Sequence, residues 1–171
     1  INTILHMPAA YFGDTGSLTK SGFVAESFLG LRPLGAQFAE RGIESHAFLP
    51  YSIGGSGLSR MHLEKTNVHG YVAESDMWAN LRDVLNTPAR GARFLYVYWS
   101  ILDTLIHRYG PNDERVDNQF SDLSRSLAVN LLGGLDKTVR EKTLLLLTAD
   151  HGAIATPIYD QFNLSKHPDF V

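Results

Sequence analysis

Two pairs of side chains in this sequence have the types and spacing of metal ligands. Asp103 and His107 are four residues apart, so on a helix a carboxylate oxygen and an imidazole nitrogen share one face and can reach one cation. Asp150 and His151 are adjacent, and they can share a cation only where the backbone bends sharply, which Gly152 permits. Carboxylate with imidazole suits zinc, manganese or iron better than calcium. The two pairs therefore predict divalent metal binding.

Each pair also has a simpler interpretation. Asp103 with His107 can be a charge pair on a helix surface, and residues 150–152 can be the turn that ends a strand. The metal interpretation is favoured because both pairs follow buried-strand patterns, and ligands collect at the carboxyl ends of strands in open α/β sheets. We therefore expect the four side chains to converge in one concave region at the carboxyl ends of adjacent strands.

Three apolar runs of strand length can position these pairs. They lack strict alternation of apolar and polar residues, which is typical of strands buried on both faces of a sheet. The runs are residues 45–49, 93–99 and 143–148. Asp103 follows the second run, and Asp150 follows the third.

Helical patterns precede each of the three runs. Proline, serine and glycine mark their ends in the positions that these residues favour at helix termini. The predicted helices run from Pro33 to Gly42, from Ser75 to Pro88 and from Val116 to Leu131. Alternating helices and strands predict parallel pairing, because parallel strands need crossover connections. The predicted fold is α/β, a three-layer sandwich with a mostly parallel sheet, in a single domain over residues 1–171.

Two polar or glycine-rich segments complete this prediction. Residues 53–58 lack the glycine spacing of phosphate-binding and dinucleotide-binding loops, and they are expected to form a flexible loop. Residues 112–117 are expected to be a solvated helix start, where acidic side chains favour the positive end of the helix dipole.

The composition excludes several classes of protein. Hydrophobic residues make up 44% of the 171 residues and charged residues 19%, which is typical of a folded domain rather than a disordered chain. A formal charge of -3 gives no cationic surface for nucleic acid. Without cysteine there are no disulfides, thiolate metal sites or cysteine nucleophiles. No run is long enough to span a membrane and no secretory leader pattern opens the sequence, so we expect a soluble domain, with the cytoplasm slightly favoured.

The other candidate side chains are given no part in catalysis. Four histidines are expected to be structural or exposed, and the second of them to be a core histidine inside a strand: His6, His46, His62 and His69. Ser100, Thr104 and Ser124 lack the Gly-x-Ser-x-Gly context, so nothing supports a serine hydrolase triad.

Both ligand pairs lie within motifs that resemble a known family. Residues 143–152, Thr-Leu-Leu-Leu-Leu-Thr-Ala-Asp-His-Gly, resemble the strand and Asp-His-Gly signature of the alkaline phosphatase superfamily. The run Asp103-x-x-x-His107-x-x-Gly110-Pro111 resembles the Asp-x-x-Gly-His-x-x-Gly-Pro motif of its type I phosphodiesterase/nucleotide pyrophosphatase branch. Residues 34–48 are also similar to the helix and strand that precede the substrate loop in that branch. The resemblance covers about residues 33–152.

This resemblance implies hydrolysis of phosphate diesters through a binuclear metal site, with zinc as the first choice of metal and manganese as the alternative. Asp103 and His107 would bind one ion, and Asp150 and His151 the second. The implied substrate is a small phosphate ester, which can be nucleotide-like. Ile106 departs from the family pattern, which usually has glycine before the histidine.

The family completes its metal sites with three further residues: an early aspartate, a threonine or serine nucleophile, and a late histidine. None of the three has a matching motif in this sequence, and His167 follows the Asp-His-Gly motif too closely to be the late histidine. The resemblance therefore implies that the chain is a middle part of a larger phosphodiesterase catalytic domain, and that this part alone is inactive.

Two other functions stay open from the sequence. The chain can be a non-catalytic α/β binding module that kept the scaffold, or a relative of the sulfatases or of cofactor-independent phosphoglycerate mutase within the same superfamily. Arginine-lined substrate pockets would separate the latter two from a phosphodiesterase. The substrate and the oligomeric state are not readable from the sequence.

Overall fold

Parallel strands and the helices that connect them make up most of residues 30–156, the part of the chain that the computed structural model describes. The strands are β1 (Glu44–Pro50), β2 (Asn67–Tyr71) and β3 (Arg93–Val97). The helices are α1 (Leu34–Glu40), α2 (Tyr51–Gly54), α3 (Gly57–His62), α4 (Glu74–Asn86), α5 (Ile101–Tyr109), α6 (Glu114–Ser126) and α7 (Lys137–Glu141). A π-helical turn over Leu127–Leu131 and a 3₁₀ turn over Leu132–Gly134 lie between α6 and α7.

The chain divides into two compact units. The first unit consists of Ile1–Trp99 and Leu127–Lys142, and the second of Ser100–Ser126 and Thr143–Val171. All three strands belong to the first unit, and all four predicted metal ligands belong to the second.

The sheet of the first unit has the strand order β2-β1-β3, and both neighbours pair with β1 in parallel. The central strand is buried along almost its whole length, with Ala47 and Phe48 fully inaccessible to solvent. Burial on both faces explains why its sequence is apolar without alternation. The predicted mixed α/β class with a parallel sheet is confirmed.

Helices and side chains tie the three strands together. Phe38 of α1 packs on Phe94 of β3, with ring centroids 4.7 Å apart. Helix α4 contacts β2 and buries Met77, Trp78 and Leu81. The Tyr71 hydroxyl at the end of β2 donates to the Tyr98 carbonyl after β3 at 2.7 Å, and burial raises the pKa of Tyr71 to about 12.

Gly35 in α1 lies against the turn that leads into β2, and this contact allows a test of the packing. A Cβ at Gly35 would lie 2.2 Å from both the Glu64 carbonyl oxygen and the Thr66 Oγ1. Gly35→Ala is therefore expected to lower the free energy of unfolding by about 1–3 kcal/mol, despite the better helix propensity of alanine. Urea unfolding followed by tryptophan fluorescence measures the change.

The matched control for this prediction is Gly55→Ala, because a Cβ at Gly55 meets nothing within 4 Å. We expect that variant to stay within about 0.5 kcal/mol of the parent chain. Equal stability of the two variants would contradict the close contact at Gly35.

Two local predictions from the sequence are wrong, and one strand was missed. Residues 143–148 form no strand, and Leu144 and Leu146 are 81% and 79% exposed. An apolar run becomes a strand only by pairing, and the ladders of the described sheet do not include it. Strand β2 was not predicted because its residues are mostly polar or exposed. The expected loop at residues 53–58 contains the end of α2 and the start of α3.

The start of helix α3, within residues 53–58, has a clear local cause. Ser56 is the N-cap of α3, and its Oγ accepts the Ser59 backbone N–H at 3.2 Å. Elsewhere the predicted helix boundaries are close to the observed ones. Helix α1 lies inside the predicted segment, α4 begins one residue before its predicted start, and α6 begins two residues before its predicted start.

None of the helices in residues 30–156 has the length and apolar character needed to cross a membrane.

Candidate metal centre

Helix α5 positions the first ligand pair. It begins after Ser100, directly beyond the β3 segment, and it carries Asp103 and His107 one turn apart. The Asp103 Oδ1 lies 3.4 Å from the His107 Nε2. The two side chains therefore share one helix face, as their spacing predicts. Both side chains are open to solvent, with 43% and 77% of their surfaces exposed.

A compact corner fixes the end of α5, just beyond His107. Gly110 adopts a φ of 93°, a conformation that favours glycine, and its N–H donates to the Ile106 carbonyl at 2.8 Å. The Arg115 guanidinium at the start of α6 lies 4.4 Å from the centre of the Tyr109 ring. Asp113 accepts from the Arg115 backbone N–H at 3.0 Å, and this bond lowers the pKa of Asp113. The corner limits how far the last turn of α5 can move.

The second pair lies in residues 143–156, a segment without helix or strand in the same unit, with a bend at Asp150. The Asp150 Oδ1 accepts the His151 backbone N–H at 3.0 Å. The His151 Nδ1 lies 2.9 Å from the Gly152 carbonyl oxygen, which can only accept, so Nδ1 carries the proton. This hydrogen bond and, next, the Asp150 carboxylate raise the pKa of His151. In the neutral ring the lone pair is therefore on Nε2.

The Asp103 carboxylate joins the two pairs. The His151 Nε2 lies 3.7 Å from the Asp103 Oδ1 and 3.7 Å from the Asp150 Oδ2. The ring nitrogen that holds the lone pair is thus the one that faces both carboxylates. All four predicted ligands therefore lie in one exposed cluster, although residues 143–148 do not form the strand that was expected to deliver the second pair.

The donor types and the pairwise spacing in this cluster fit a zinc-type ion. Two ligands of a tetrahedral zinc ion, each at about 2.0–2.2 Å from the metal, lie about 3.4 Å from each other. The observed separations of 3.4 and 3.7 Å are close to that value. Within residues 30–156, however, no group of three or more His, Asp or Glu side chains is arranged so that all could hold one ion. Each pair of side chains in the cluster is therefore spaced as two ligands of one ion would be. Among the described residues, no third ligand completes the coordination shell of that ion.

The hydroxyl nearest to the ligands in sequence does not join the cluster. The Thr104 Oγ1 donates to the Ser100 carbonyl at 3.1 Å, back along its own helix. That bond agrees with the expectation that a residue adjacent to Asp103 points away from the ligand face.

The other histidines in the described residues belong to the first unit, whereas the cluster belongs to the second. His46 is 7% exposed within β1, as expected for a core histidine, and His62 is exposed on α3. His69 packs beside His46. His6 and His167 fall outside residues 30–156.

Comparison with known families accounts for both motifs at once. The model of the type I phosphodiesterase/nucleotide pyrophosphatase family matches residues 33–170, which is most of the chain. The chain belongs to this family, within the alkaline phosphatase superfamily. Members of the type I phosphodiesterase/nucleotide pyrophosphatase family act on phosphate esters and generally depend on divalent metal ions. Searches of curated proteins and of solved structures found no significant match to the chain.

Two features of the centre of this phosphodiesterase family chain were not predicted from its sequence. One is the Gly152 carbonyl, which fixes the His151 proton; the glycine was interpreted only as a place for a bend. The other is the direct contact between Asp103 and His151, for which no local pattern exists. Ile106, in place of the usual family glycine, lies within the regular helix and does not prevent the contact between Asp103 and His107.

Proposed function

We propose that this chain carries the metal-binding part of a phosphodiesterase or nucleotide pyrophosphatase that hydrolyses phosphate diesters through two divalent ions. The main support is the Asp103 carboxylate, which lies within ligand-to-ligand distance of His107 and His151. Exposed ion pairs of this kind contribute only about 0–1 kcal/mol to stability. The contacts within the cluster therefore add little to the stability of the fold.

The assignment of ligands follows the two motifs. Asp103 and His107 would hold one ion, and Asp150 and His151 the second, with zinc as the first choice and manganese as the alternative. The proton on the His151 Nδ1, bound to the Gly152 carbonyl, leaves Nε2 as the donor atom. Metal-bound histidines commonly have their second nitrogen held in this way. The same cluster is open to solvent, so a substrate phosphate can approach it.

The chemistry divides between the ions and the chain. When bound, a pair of divalent ions lowers the pKa of an attacking hydroxyl and stabilises the charge on the phosphoryl oxygens. The chain supplies the two carboxylates that offset the charge of the ions. The bond to the Gly152 carbonyl orients the His151 ring, and the corner at Gly110 ends the helix that carries His107. A preformed ligand set reduces the reorganisation needed when metal and substrate bind.

We further propose that this chain is one part of a larger catalytic domain. The family nucleophile, the early aspartate and the late histidine have no matching motif here, and Thr104 is bonded to its own helix. The substrate class that follows from the family is a small phosphate ester, and a nucleotide-like diester is the first one to test. Family membership favours this function over the sulfatase and mutase alternatives, and the presence of both ligand pairs favours it over a non-catalytic module.

Metal binding by the 171-residue chain itself is expected to be weak. Each ion would have two protein ligands, whereas zinc sites normally use at least three. Calorimetric titration with ZnCl₂ or MnCl₂ should therefore show a Kd above about 1 μM. Asp103→Asn should weaken the binding further, and His62→Gln, on the exposed face of α3, should not change it. A stoichiometric submicromolar isotherm would show that the chain completes a metal shell by itself.

A further inference from the structure

A cavity of about 540 Å³ lies beside the sheet of the first unit, and the proposed function makes no use of it. Ser45 and Leu49 of β1 and Phe94 of β3 line its floor, and Ser45 lies opposite Phe94 in the strand register. Residues of α1 line one side, and residues of α2 and α3 line another. The volume is within the range of about 300–1,000 Å³ that small-molecule sites occupy.

Aromatic rings line the cavity along β3. Phe38 of α1 contacts Phe94, with the ring centroids 4.7 Å apart and the planes tilted by 40°. Tyr96 and Tyr98 continue the row, because alternate residues along a strand share one face. Phe94 and Tyr96 are 39% and 43% exposed, so their rings can be reached from solvent. Aromatic rings pair favourably with other rings, and this side of the cavity therefore favours an aromatic ligand.

The charge of a suitable ligand follows from the lining. Among the described residues that line the cavity there is no Asp, Glu, Lys or Arg. Of the two histidines that do line it, His46 is bonded to His69 at 3.0 Å, and His62 is on the exposed part of α3. A charged molecule loses hydration in such surroundings without gaining an opposite charge, which is costly. The cavity therefore favours a neutral molecule.

Two hydroxyl groups at the β1 end of the cavity have their protons engaged within the protein. The Ser45 Oγ donates to the Lys65 carbonyl, which can only accept, at 3.3 Å. The Ser45 Oγ also lies 3.1 Å from the Thr66 Oγ1. Because a hydroxyl has a single proton, Thr66 must be the donor in this second contact. Neither hydroxyl keeps a proton for a ligand.

The two hydroxyl groups on the helical side are engaged in the same way. The Ser59 Oγ donates to the Ile53 carbonyl at 2.7 Å, and the Ser56 Oγ donates to the Ser59 Oγ at 3.0 Å. A hydroxyl oxygen has two lone pairs, so each of the four oxygens can still accept a hydrogen bond. Towards a ligand, the serine and threonine side chains of the cavity are therefore acceptors, and they favour a molecule that donates.

We propose that this cavity binds a small, neutral aromatic molecule that carries one O–H or N–H donor, as a phenol does. The ring of the ligand lies against Phe38 and Phe94, and its donor reaches a serine or threonine oxygen of the lining. The site is separate from the metal-binding cluster, since all of its described lining residues belong to the first unit.

Carbon-13 methyl spectra of the full 171-residue chain during titration with phenol test the site. We expect saturable shifts in the methyl groups of Leu49, Ile53 and Leu63, which line the cavity, with a Kd of about 1 mM or below. The methyl groups of Leu123, in the second unit, should not shift. Anisole has no donor and should bind about fivefold more weakly than phenol, whereas a purely apolar cavity would favour anisole. Benzoate, which is charged, should not shift the lining methyl groups.

A pair of matched variants tests the aromatic contact. Phe94→Leu should weaken phenol binding several-fold, because the ring contact is lost while an apolar side chain remains. Phe120→Leu, which replaces a ring that is 47% exposed on α6 of the second unit, should leave the affinity unchanged.

Three results would overturn the proposal: no saturable shift with phenol, anisole binding as tightly as phenol, or benzoate shifting the same methyl groups. These measurements use the parent chain, so they decide the question even if Phe94→Leu does not fold.

Discussion

In the larger catalytic domain that we propose, Asp103→Asn is expected to lower kcat/KM for phosphodiester hydrolysis by at least about 100-fold. Asp103 lies 3.4 Å from His107 and 3.7 Å from His151, so its carboxylate contacts both proposed half-sites. The amide keeps the size of the side chain but removes the negative charge that a divalent ion requires. The loss should therefore appear in metal affinity as well as in turnover, and high metal concentration should restore part of the activity.

The measurement is steady-state hydrolysis of p-nitrophenyl thymidine monophosphate over a range of zinc or manganese concentrations. The matched control is Asp117→Asn, which removes one exposed carboxylate from the first turn of α6 in the same unit. We expect the control to retain activity within about twofold, because helix-terminal charges contribute only a few tenths of a kcal/mol. Unchanged kinetics in Asp103→Asn would show that the cluster does not hold the catalytic metal.

The 171-residue chain alone, in contrast, is expected to hydrolyse no phosphodiester above the metal-only blank. The mechanism that we propose requires an activated hydroxyl beside the metal ions, and loss of a nucleophile typically costs about 10⁴–10⁶ in rate because the catalytic groups act together. In the part of the chain that the structure describes, the nearest hydroxyl in sequence, on Thr104, is bonded to the Ser100 carbonyl.

Both p-nitrophenyl thymidine monophosphate and bis-p-nitrophenyl phosphate, with added zinc or manganese, test this expectation. The control is Asp150→Asn, which removes one of the proposed ligands. Product release that exceeds the blank and disappears in Asp150→Asn would show that the chain contains its own nucleophile, and the proposal of a larger catalytic domain would then be wrong.

The sheet shows which parts of the fold a sequence of this kind reveals. Strand β1 is predictable because burial on both faces requires an apolar run, and Phe48 lies at its centre. Strand β2 is at the edge, and among its residues only Tyr71 is buried, so backbone pairing rather than hydrophobicity defines it. Residues 143–148 show the opposite case. Their apolar pattern is stronger than that of β2, but a pattern does not create a hydrogen-bonding partner.

In the candidate metal centre, some contacts follow from local sequence spacing and others depend on the tertiary structure. The contact between Asp103 and His107 follows from the helical repeat, so spacing alone predicts it. The contact between Asp103 and His151 joins residues 48 positions apart and depends on the fold of the second unit. The hydrogen bond from the His151 ring to Gly152 is local, but it is set by a backbone conformation that many sequences with Asp-His-Gly need not adopt.

The exposed leucines after α7 have a consequence for the colloidal behaviour of the chain. Leu144 to Leu147 are four consecutive β-compatible side chains that are 48–81% exposed. Such a segment is a template for intermolecular cross-β association unless charges flank it. Lys142 precedes it and Asp150 follows it, so a few charged residues act as gatekeepers against aggregation. Because salt screens these charges, we expect the chain to self-associate more readily as the ionic strength of the buffer rises.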